Sequence, residues 1–327
     1  MAAEDWTTSL AIRAAWLSFI GRRTQGEIAE ILGVSAAKVH RLIAQAQREG
    51  LIKFFVEMRP IDCIELESKL CELLGLKNCF IAPDLSYQGN RDAFGATASF
   101  AGQFLHGLLS NGSVSCMGVG MGRTLTATVE AMPKLQRSDL AIVSITGSLT
   151  RRLSANPYDV VQPLQAATGG EGFYLPVPYL AETVEEKEMF HAQRSVQDLI
   201  GRAEQADLFV IGIGSVSAEG HLLQRKLVTK QEADELAASD ACTDMMGRFY
   251  DRNGDEVDVS LNDKAVGLHP EKARGSRVVA VVGGADKAEA TLGAVRTGVI
   301  TDLIMDEVLA RDLLVLAQSK ELAEVAK

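Results

Sequence analysis

The stretch Thr24-Gln25-Gly26-Glu27-Ile28-Ala29-Glu30-Ile31-Leu32-Gly33-Val34-Ser35 decides how the chain begins. Thr24 followed three residues later by Glu27 is a capping box, in which each side chain satisfies a backbone N–H at a helix start. Ile28, Ile31 and Leu32 recur at helical spacing and supply one apolar face. Gly33 can take the positive φ that ends this helix, and Val34 can plug the space between it and the next. Ser35 then caps a second helix with Val39, Leu42, Ile43 and Ala46 facing inward, closing at Gly50. Two short amphipathic helices with this turn between them form the corner that presents a second helix to a DNA major groove.

The outward positions near the start of the second helix are Ala36, Ala37, Lys38, His40 and Arg41. Lys38 and Arg41 can reach phosphates or guanine edges, and His40 can donate to either. As caps, Thr24 and Ser35 place backbone N–H groups where phosphates sit, and Gln25 completes the candidate DNA-contacting set. The bland alternative is an ordinary αα corner with a solvated basic face. The capping box, the Gly-Val-Ser turn and the basic second helix together favour DNA. Working outward, apolar spacing predicts an earlier helix over 6–19, ending near Gly21. Residues 51–58 are rich in β-formers and predict a short hairpin wing. Residues 60–62 are the expected joint, giving a DNA-binding domain over 1–59 and an effector-binding domain over 60–327.

Charge agrees with that division. The chain carries −10 overall, yet residues 1–60 hold eight basic and six acidic side chains, a net +2. The remainder therefore carries −12. A slightly basic head on an acidic body suits a protein that touches phosphates at one end only. Five cysteines (Cys63, Cys71, Cys79, Cys116 and Cys242) show no CxxC pair, which predicts reduced thiols in a cytoplasm and no metal site. Apolar runs are strand-sized, and the first residues lack a signal pattern, so no membrane partner is expected.

Beyond the joint, strands are predicted at 78–82, 113–118, 140–146, 172–175, 208–213, 277–282 and 301–304. Helices fit between them, at 91–109, 123–131, 184–202, 287–297 and 306–317. Strands alternating with helices imply a mainly parallel sheet covered on both faces. In such a sheet, glycine-rich turns after strands lie at the carboxyl edge, where ligands bind. Gly118-Val119-Gly120-Met121-Gly122-Arg123-Thr124 leads into a helix whose N-terminus favours an anion. Gly212-Ile213-Gly214-Ser215 and Gly283-Gly284-Ala285-Asp286-Lys287 are two more such turns. A dinucleotide fingerprint fails on position, because Asp139 precedes the second strand of the unit instead of following it. The chain also lacks a GxxxxGK[ST] loop.

Five blocks in order then make the whole chain resemble the SorC/DeoR-type sugar-binding transcriptional regulators. Gly120-Met121-Gly122-Arg123-Thr124 stands where that family usually has Gly-Trp-Gly-Arg-Thr. Asn156 before Pro157, followed by Leu175-Pro176-Val177-Pro178, matches a second region, and Ala206 through Ser215 a third. Asp244-Met245-Met246-Gly247-Arg248-Phe249-Tyr250-Asp251 resembles the family's Asp-x-x-Gly-Arg-Phe-x-Asp stretch, and Arg277 to Lys287 its last glycine turn. The resemblance implies a (winged) helix-turn-helix plus a large C-terminal Rossmann-like α/β effector domain similar to sugar-phosphate isomerases and deaminases.

By the same resemblance, the glycine turns and Thr124 would bind phosphate or its surrogate. Asp244 and Arg248 would face sugar hydroxyls, and Lys287 would meet a charged or oxygen-rich group. The candidate effector set is Gly118, Gly120, Met121, Gly122, Arg123, Thr124, Gly147, Asn156, Gly212, Gly214, Ser215, Asp244, Arg248, Gly283, Gly284 and Lys287. Met121 for tryptophan, and Thr243 where the family usually has glycine, predict a pocket for a differently shaped polyol or sugar derivative. The expectation is a non-enzymatic regulator of a carbohydrate or polyol operon, with operator DNA and a sugar, polyol or sugar phosphate as partners. It has no cofactor, and two DNA half-sites call for a homo-oligomer, dimeric or tetrameric. The alternative is a sugar-phosphate isomerase or deaminase carrying a nucleic-acid-binding head. Asp244 and Lys287 could serve it, but Asp263, His221 and His269 offer no catalytic spacing.

Overall fold

The computed structural model describes residues 3–53, 56, 58–85, 93–148, 156, 158–217, 222 and 227–325. Contacts divide the chain into two compact units, Met1–Glu57 and Met58–Lys327.

In the first unit, α1 (Ala3–Ala15) runs into a π-helical turn, Trp16–Ile20, that ends at Gly21. The helix expected over 6–19 is there, with its last turn widened. Helices α2 (Gln25–Leu32) and α3 (Ala36–Arg48) follow. The capping box forms in both directions: the Thr24 N–H donates to Glu27 Oε2 at 2.8 Å, and the Glu27 N–H to Thr24 Oγ1 at 3.4 Å. Gly33 takes φ +64°, and Ser35 Oγ accepts from the Lys38 N–H at 3.3 Å. Ala11, Ala14, Ile28, Val39, Leu42 and Ala46 make a small core of their own. The expected wing does not form among the described residues: 51–53, 56 and 58 carry no strand, while Phe54, Phe55 and Glu57 lie outside them. Eight residues leave about three per strand once a turn is made, too few for a ladder without outside support.

The second unit opens with α4 (Ile61–Leu74), β1 (Asn78–Ala82) and α5 (Ala93–Ser110). Then come β2 (Cys116–Val119), α6 (Arg123–Ala131), β3 (Ala141–Ser144), α7 (Val161–Thr168) and β4 (Glu171–Phe173). Helices α8 (Val184–His191) and α9 (Arg194–Glu204) replace the single helix expected over 184–202. After β5 (Leu208–Gly212) come β6 (Gly214–Ser215), α10 (Lys230–Ala238), β7 (Thr243–Met245), β8 (Arg248–Tyr250) and α11 (Ser260–Lys264). The chain closes with β9 (Arg277–Val281), α12 (Ala288–Arg296), β10 (Asp302–Asp306) and α13 (Glu307–Val325).

Seven strands form one sheet in the order β1-β10-β9-β5-β2-β3-β4, every pairing parallel. Side chains alternate across it, as period two requires. Phe209 and Ile211 join Leu66, Leu70, Leu292, Leu309 and Leu313 on one face. Leu208 and Val210 join Leu105, Leu125, Val129 and Leu164 on the other. A parallel sheet buried on both sides explains why its strands read as continuous apolar runs. From β2 the chain steps outward through β3 and β4, and from β5 it steps the other way through β9 and β10. The gap between β2 and β5 is therefore the point where strand order reverses, and their carboxyl ends border a crevice. A second, antiparallel sheet, β6-β7-β8, was not anticipated, because its strands are only two or three residues long. No helix among the described residues is long and apolar enough to cross a membrane.

Candidate functional site

A cavity of about 380 Å³ occupies that crevice. Its walls are the turn after β2 (Gly120, Met121, Gly122, Arg123, Thr124), the turn after β5 (Gly212, Ile213, Gly214) and the turn after β9 (Gly283, Gly284, Asp286, Lys287). Asp244 and Met246 from the β7–β8 hairpin, and Tyr179, complete the polar and flexible part of the lining. Glycine at these turns has two separate reasons. Gly122 and Gly284 adopt φ +145° and +113°, which side-chain-bearing residues rarely take. Gly214 lies where an added Cβ would sit 3.0 Å from Asp244 Cβ, so the small residue lets the hairpin approach.

The positive part of the lining is built from backbone and two cations. Gly122 is the N-cap of α6 and has no side chain to offer, so the first-turn N–H groups and Thr124 border the cavity. Arg123 is exposed at the rim, and among the described residues no carboxylate lies within ion-pair distance of it. Lys287 is half-buried and donates to Ser215 Oγ at 3.0 Å. Burial pulls its ammonium below the ordinary lysine value; Asp286 opposes that shift, and the nearby Arg123 charge adds to it. The Gly283-Gly284 turn that carries Lys287 is itself held, because the Gly284 N–H donates to buried Asp306 at 2.9 Å.

Asp244 is the acceptor in the lining. Its carboxylate receives the Tyr179 hydroxyl at 2.9 and 3.1 Å and the Gly247 N–H at 3.2 Å. Burial nevertheless pushes its carboxyl up to about 6, against the downward pull of Tyr179, Gly247 and Lys287. The Tyr179 phenol, buried and facing this carboxylate, is pushed well above its ordinary value and stays a donor. Met246 and Gly247 form the hairpin turn with φ of +56° and +87°, the two positive values of a type I′ turn. A methionine in that conformation costs about 1–2 kcal/mol, which the hairpin and the packing around it sustain.

Comparison with known proteins places this architecture. The sequence profile of the family described as "Putative sugar-binding domain" matches residues 58–315. The chain belongs to that family, the sugar-binding domain of SorC/DeoR-type transcriptional regulators. It is 36% identical over 310 residues to the erythritol catabolism regulatory protein EryD of Brucella abortus, covering 95% of this chain and 98% of that one. It is 28% identical to the transcriptional regulator LsrR of Enterobacter sp., over 94% of this chain and 93% of the relative. Among solved structures, the full-length sorbitol operon regulator SorC of Klebsiella pneumoniae has the same fold at a TM-score of 0.72. The two share 23% identity over 94% of this chain and 98% of that one.

Within this sugar-binding domain, eleven of the sixteen expected effector residues line the cavity: Gly120, Met121, Gly122, Arg123, Thr124, Gly212, Gly214, Asp244, Gly283, Gly284 and Lys287. Ser215 stands behind the wall as the partner of Lys287. Asn156 is likewise one step back, accepting from the Tyr158 N–H at 3.1 Å and donating to the Met121 sulfur at 3.4 Å. Three expectations are corrected. Arg248 does not face the cavity; its guanidinium pairs with Glu256 at 2.6 Å, because neighbouring hairpin positions point to opposite faces. Gly118 lies inside β2, where a Cβ would meet the Phe209 ring at 2.6 Å. Gly147 packs under the Pro178 backbone, with an added Cβ 2.2 Å from its oxygen. Both glycines serve close packing.

Sequence reading missed Tyr179, Met246, Thr146, Tyr158, Phe94 and Asp286, all on the wall. Tyr179 follows directly on the Leu175–Pro178 block, so the chain signalled its neighbourhood without its role. His221 lies outside the described residues, and His269 sits 3.4 Å from Glu256 beside Arg248, away from the cavity lining. Asp139 pairs with Arg137 ahead of β3. Among the described residues, no cluster of His, Cys, Asp or Glu could hold a metal.

In the first unit, Gln25, Ser35, Ala36, Ala37, Lys38, His40 and Arg41 are all exposed, as is Thr24. Lys38, His40 and Arg41 lie on one turn of α3 opposite its buried Val39 and Leu42. Among the described residues, no ion pair or side-chain hydrogen bond engages these three.

Proposed function

We propose that the chain is a transcriptional regulator that reads operator DNA through α2 and α3 and senses a phosphorylated sugar or polyol in the crevice of its larger unit. The observation that carries the reading is the cavity's polarity. The wall offers a helix N-terminus, Arg123 and Lys287 to an anion, and beside Lys287 it offers the Asp244 carboxylate to hydroxyl donors. A hydroxylated chain with one anionic end matches both. The relative named for erythritol catabolism supports a short polyol or its phosphate as the starting point. Effector binding shifts operator affinity by favouring one of two conformational states, and two half-sites require a homo-oligomer working in the cytoplasm.

The test is thermal melting of the whole protein against tetritols, pentitols, hexitols and their monophosphates, followed by operator binding with and without each hit. A ligand that binds only the folded protein raises its melting temperature in a concentration-dependent way. The expected hit is a phosphorylated polyol, and Lys287→Ala weakens it by about 1.5–3 kcal/mol because a charge-assisted hydrogen bond is removed. Preference for the unphosphorylated compound would sink the anion assignment and leave the polyol one. Asp244 and Lys287 share one cavity, so the same panel is followed for turnover; a converted substrate would make the larger unit an enzyme.

A further inference from the structure

Arg59 is the second residue of the larger unit, just past the joint. Its guanidinium pairs with Glu67, which is buried on α4 and also accepts the Ile81 N–H at 2.8 Å. Two rings hold the same charge: the centroids of Phe80 on β1 and Phe100 on α5 both lie 5.6 Å from it. Met58, Pro60 and Ile61 around it are exposed, so Arg59 is the side chain that fastens this stretch. An arginine–glutamate pair taken out of water adds little net stability, because desolvation offsets its attraction. What it adds here is a defined position.

We propose that Arg59 is a positioning residue that passes effector occupancy from the cavity to the joint by way of α5. The inference rests on the reading of the cavity as an effector site. Three observations carry it. Helix α5 begins at the cavity, where Phe94 is part of the wall. Phe100 stands six residues further on, about 9 Å along the helix axis. Next, α5 is in backbone contact with α6, whose N-terminus borders the cavity. A Cβ on Gly102 would lie 2.8 Å from both the Thr128 oxygen and the Met132 nitrogen. Elements packed this closely transmit strain. Finally, the two rings at Arg59 belong to different layers, Phe80 to the sheet and Phe100 to a helix that covers it. Cation–ring attraction holds within about 6 Å of the centroid, and helices in switching proteins shift by about 1–2 Å. A shift of α5 over the sheet therefore takes Phe100 away from a guanidinium that Phe80 and Glu67 keep in place. Arg277 supplies an internal control. Its guanidinium pairs with buried Asp302 and lies 5.4 Å from the ring of Phe104 on the same helix, but it belongs to β9.

The experiment is hydrogen exchange of the whole chain, read by mass spectrometry, with a tetritol monophosphate as the probe. In the unaltered protein the probe is expected to protect the turns at 120–126 and 283–288. It should also change exchange over 58–66 by about fivefold or more, the lower end of ordinary coupling between sites. Arg59→Ala is expected to abolish the change at 58–66 while the turns stay protected. The dissociation constant of the probe stays within about twofold, as for distant sites with no shared partner. Phe100→Leu, which keeps apolar bulk and leaves the ion pair, gives the same result if Arg59→Ala folds poorly. Arg277→Ala leaves the response at 58–66 in place. A response that persists in Arg59→Ala overturns the inference, and so does its loss in Arg277→Ala, which makes it a general loosening of α5. A larger fall in probe affinity in Arg59→Ala also overturns it, because Arg59 then only supports the cavity wall. If the turns are protected and 58–66 stays silent in the unaltered protein, the relay alone fails. If the turns ignore the probe, the effector reading fails and the relay falls with it.

Discussion

The exposed face of α3 and the cavity between β2 and β5 are both polar, yet they hold their polar groups in opposite ways. Lys38, His40 and Arg41 project from one helical turn with their side chains uncommitted. In the cavity the two oppositely charged groups already have partners: Asp244 has Tyr179 and Gly247, and Lys287 has Ser215. The difference fits what each surface is proposed to meet. Phosphates arrive in a row and bring their own strong field, so free cations at roughly the right spacing suffice. A small hydroxylated molecule has few groups, so the wall must present each atom already oriented. Disturbing the two regions should therefore have consequences of different kind as well as size.

The largest effect is expected where the cavity's scaffold, and not its lining, is touched. Gly147→Ala drives a Cβ to 2.2 Å from the Pro178 backbone oxygen, a clash that no side-chain rotation relieves. Overpacking of this kind costs about 3 kcal/mol or more. Loss of the cooperative melt of the larger unit, at unchanged ligand specificity in whatever folds, is the expected result. A well-folded Gly147→Ala protein that no longer binds its effector would return Gly147 to the ligand.

Next in size is the double change Lys38→Ala and Arg41→Ala, which removes two uncommitted cations. Operator affinity should fall by about 2–4 kcal/mol, and the salt dependence should flatten by about one unit for each phosphate that is no longer neutralised. The melting response to effector should not move. A weakened effector response in this variant would erase the contrast between the regions. If affinity falls with an unchanged salt slope, these side chains read bases and leave the phosphates to others.

The third test uses pH. The Asp244 carboxyl is raised to about 6 by burial, so in the free protein the ionised form is the disfavoured one. The stability it contributes is full below the ordinary aspartate value of about 4 and is lost as pH rises through 6. Effector affinity runs the other way. A hydroxyl donor needs the ionised carboxylate, so affinity rises about tenfold per unit up to pH 6 and levels above it. Titration calorimetry from pH 5 to 8 measures this directly, and Asp244→Asn should remove the slope. A slope that survives in Asp244→Asn would assign it to another group, such as the phosphate itself.

The same contrast explains how much was legible in the sequence. The helices of the head were readable, though not the wing expected after them, because their signals are local: Thr24 with Glu27 and Ser35 with Lys38 each span one helical turn. Most of the seven parallel strands were readable as apolar runs, and the glycine turns after β2, β5 and β9 as carboxyl-edge loops. What escaped was set by distance along the chain. Tyr179 meets Asp244 across 65 residues, and Lys287 meets Ser215 across 72. No periodicity reports such pairs. Arg248 went wrong for a related reason: in Asp244-Met245-Met246-Gly247-Arg248 the hairpin turn, invisible as a helix-or-strand signal, decides which side chain enters the cavity. The resemblance supplied the block, but only the fold supplied its direction.

The smallest predicted effect separates the two regions most cleanly. Thr24→Ala removes one hydroxyl that accepts from the Glu27 N–H and donates to its carboxylate at 2.9 Å. Loss of a helix cap costs about 1 kcal/mol, and Glu27, held below the usual carboxylate range chiefly by the Thr24 backbone N–H, keeps part of the box intact. The first unit has its own core, so that loss should appear in the melting of the head alone. Operator affinity should then fall by no more than the fraction of heads unfolded, and lower temperature should restore it. If instead affinity drops severalfold at a temperature where the head is fully folded, Thr24 touches DNA itself. Circular dichroism of the whole chain, read beside operator binding at the same temperature, distinguishes a cap from a DNA ligand.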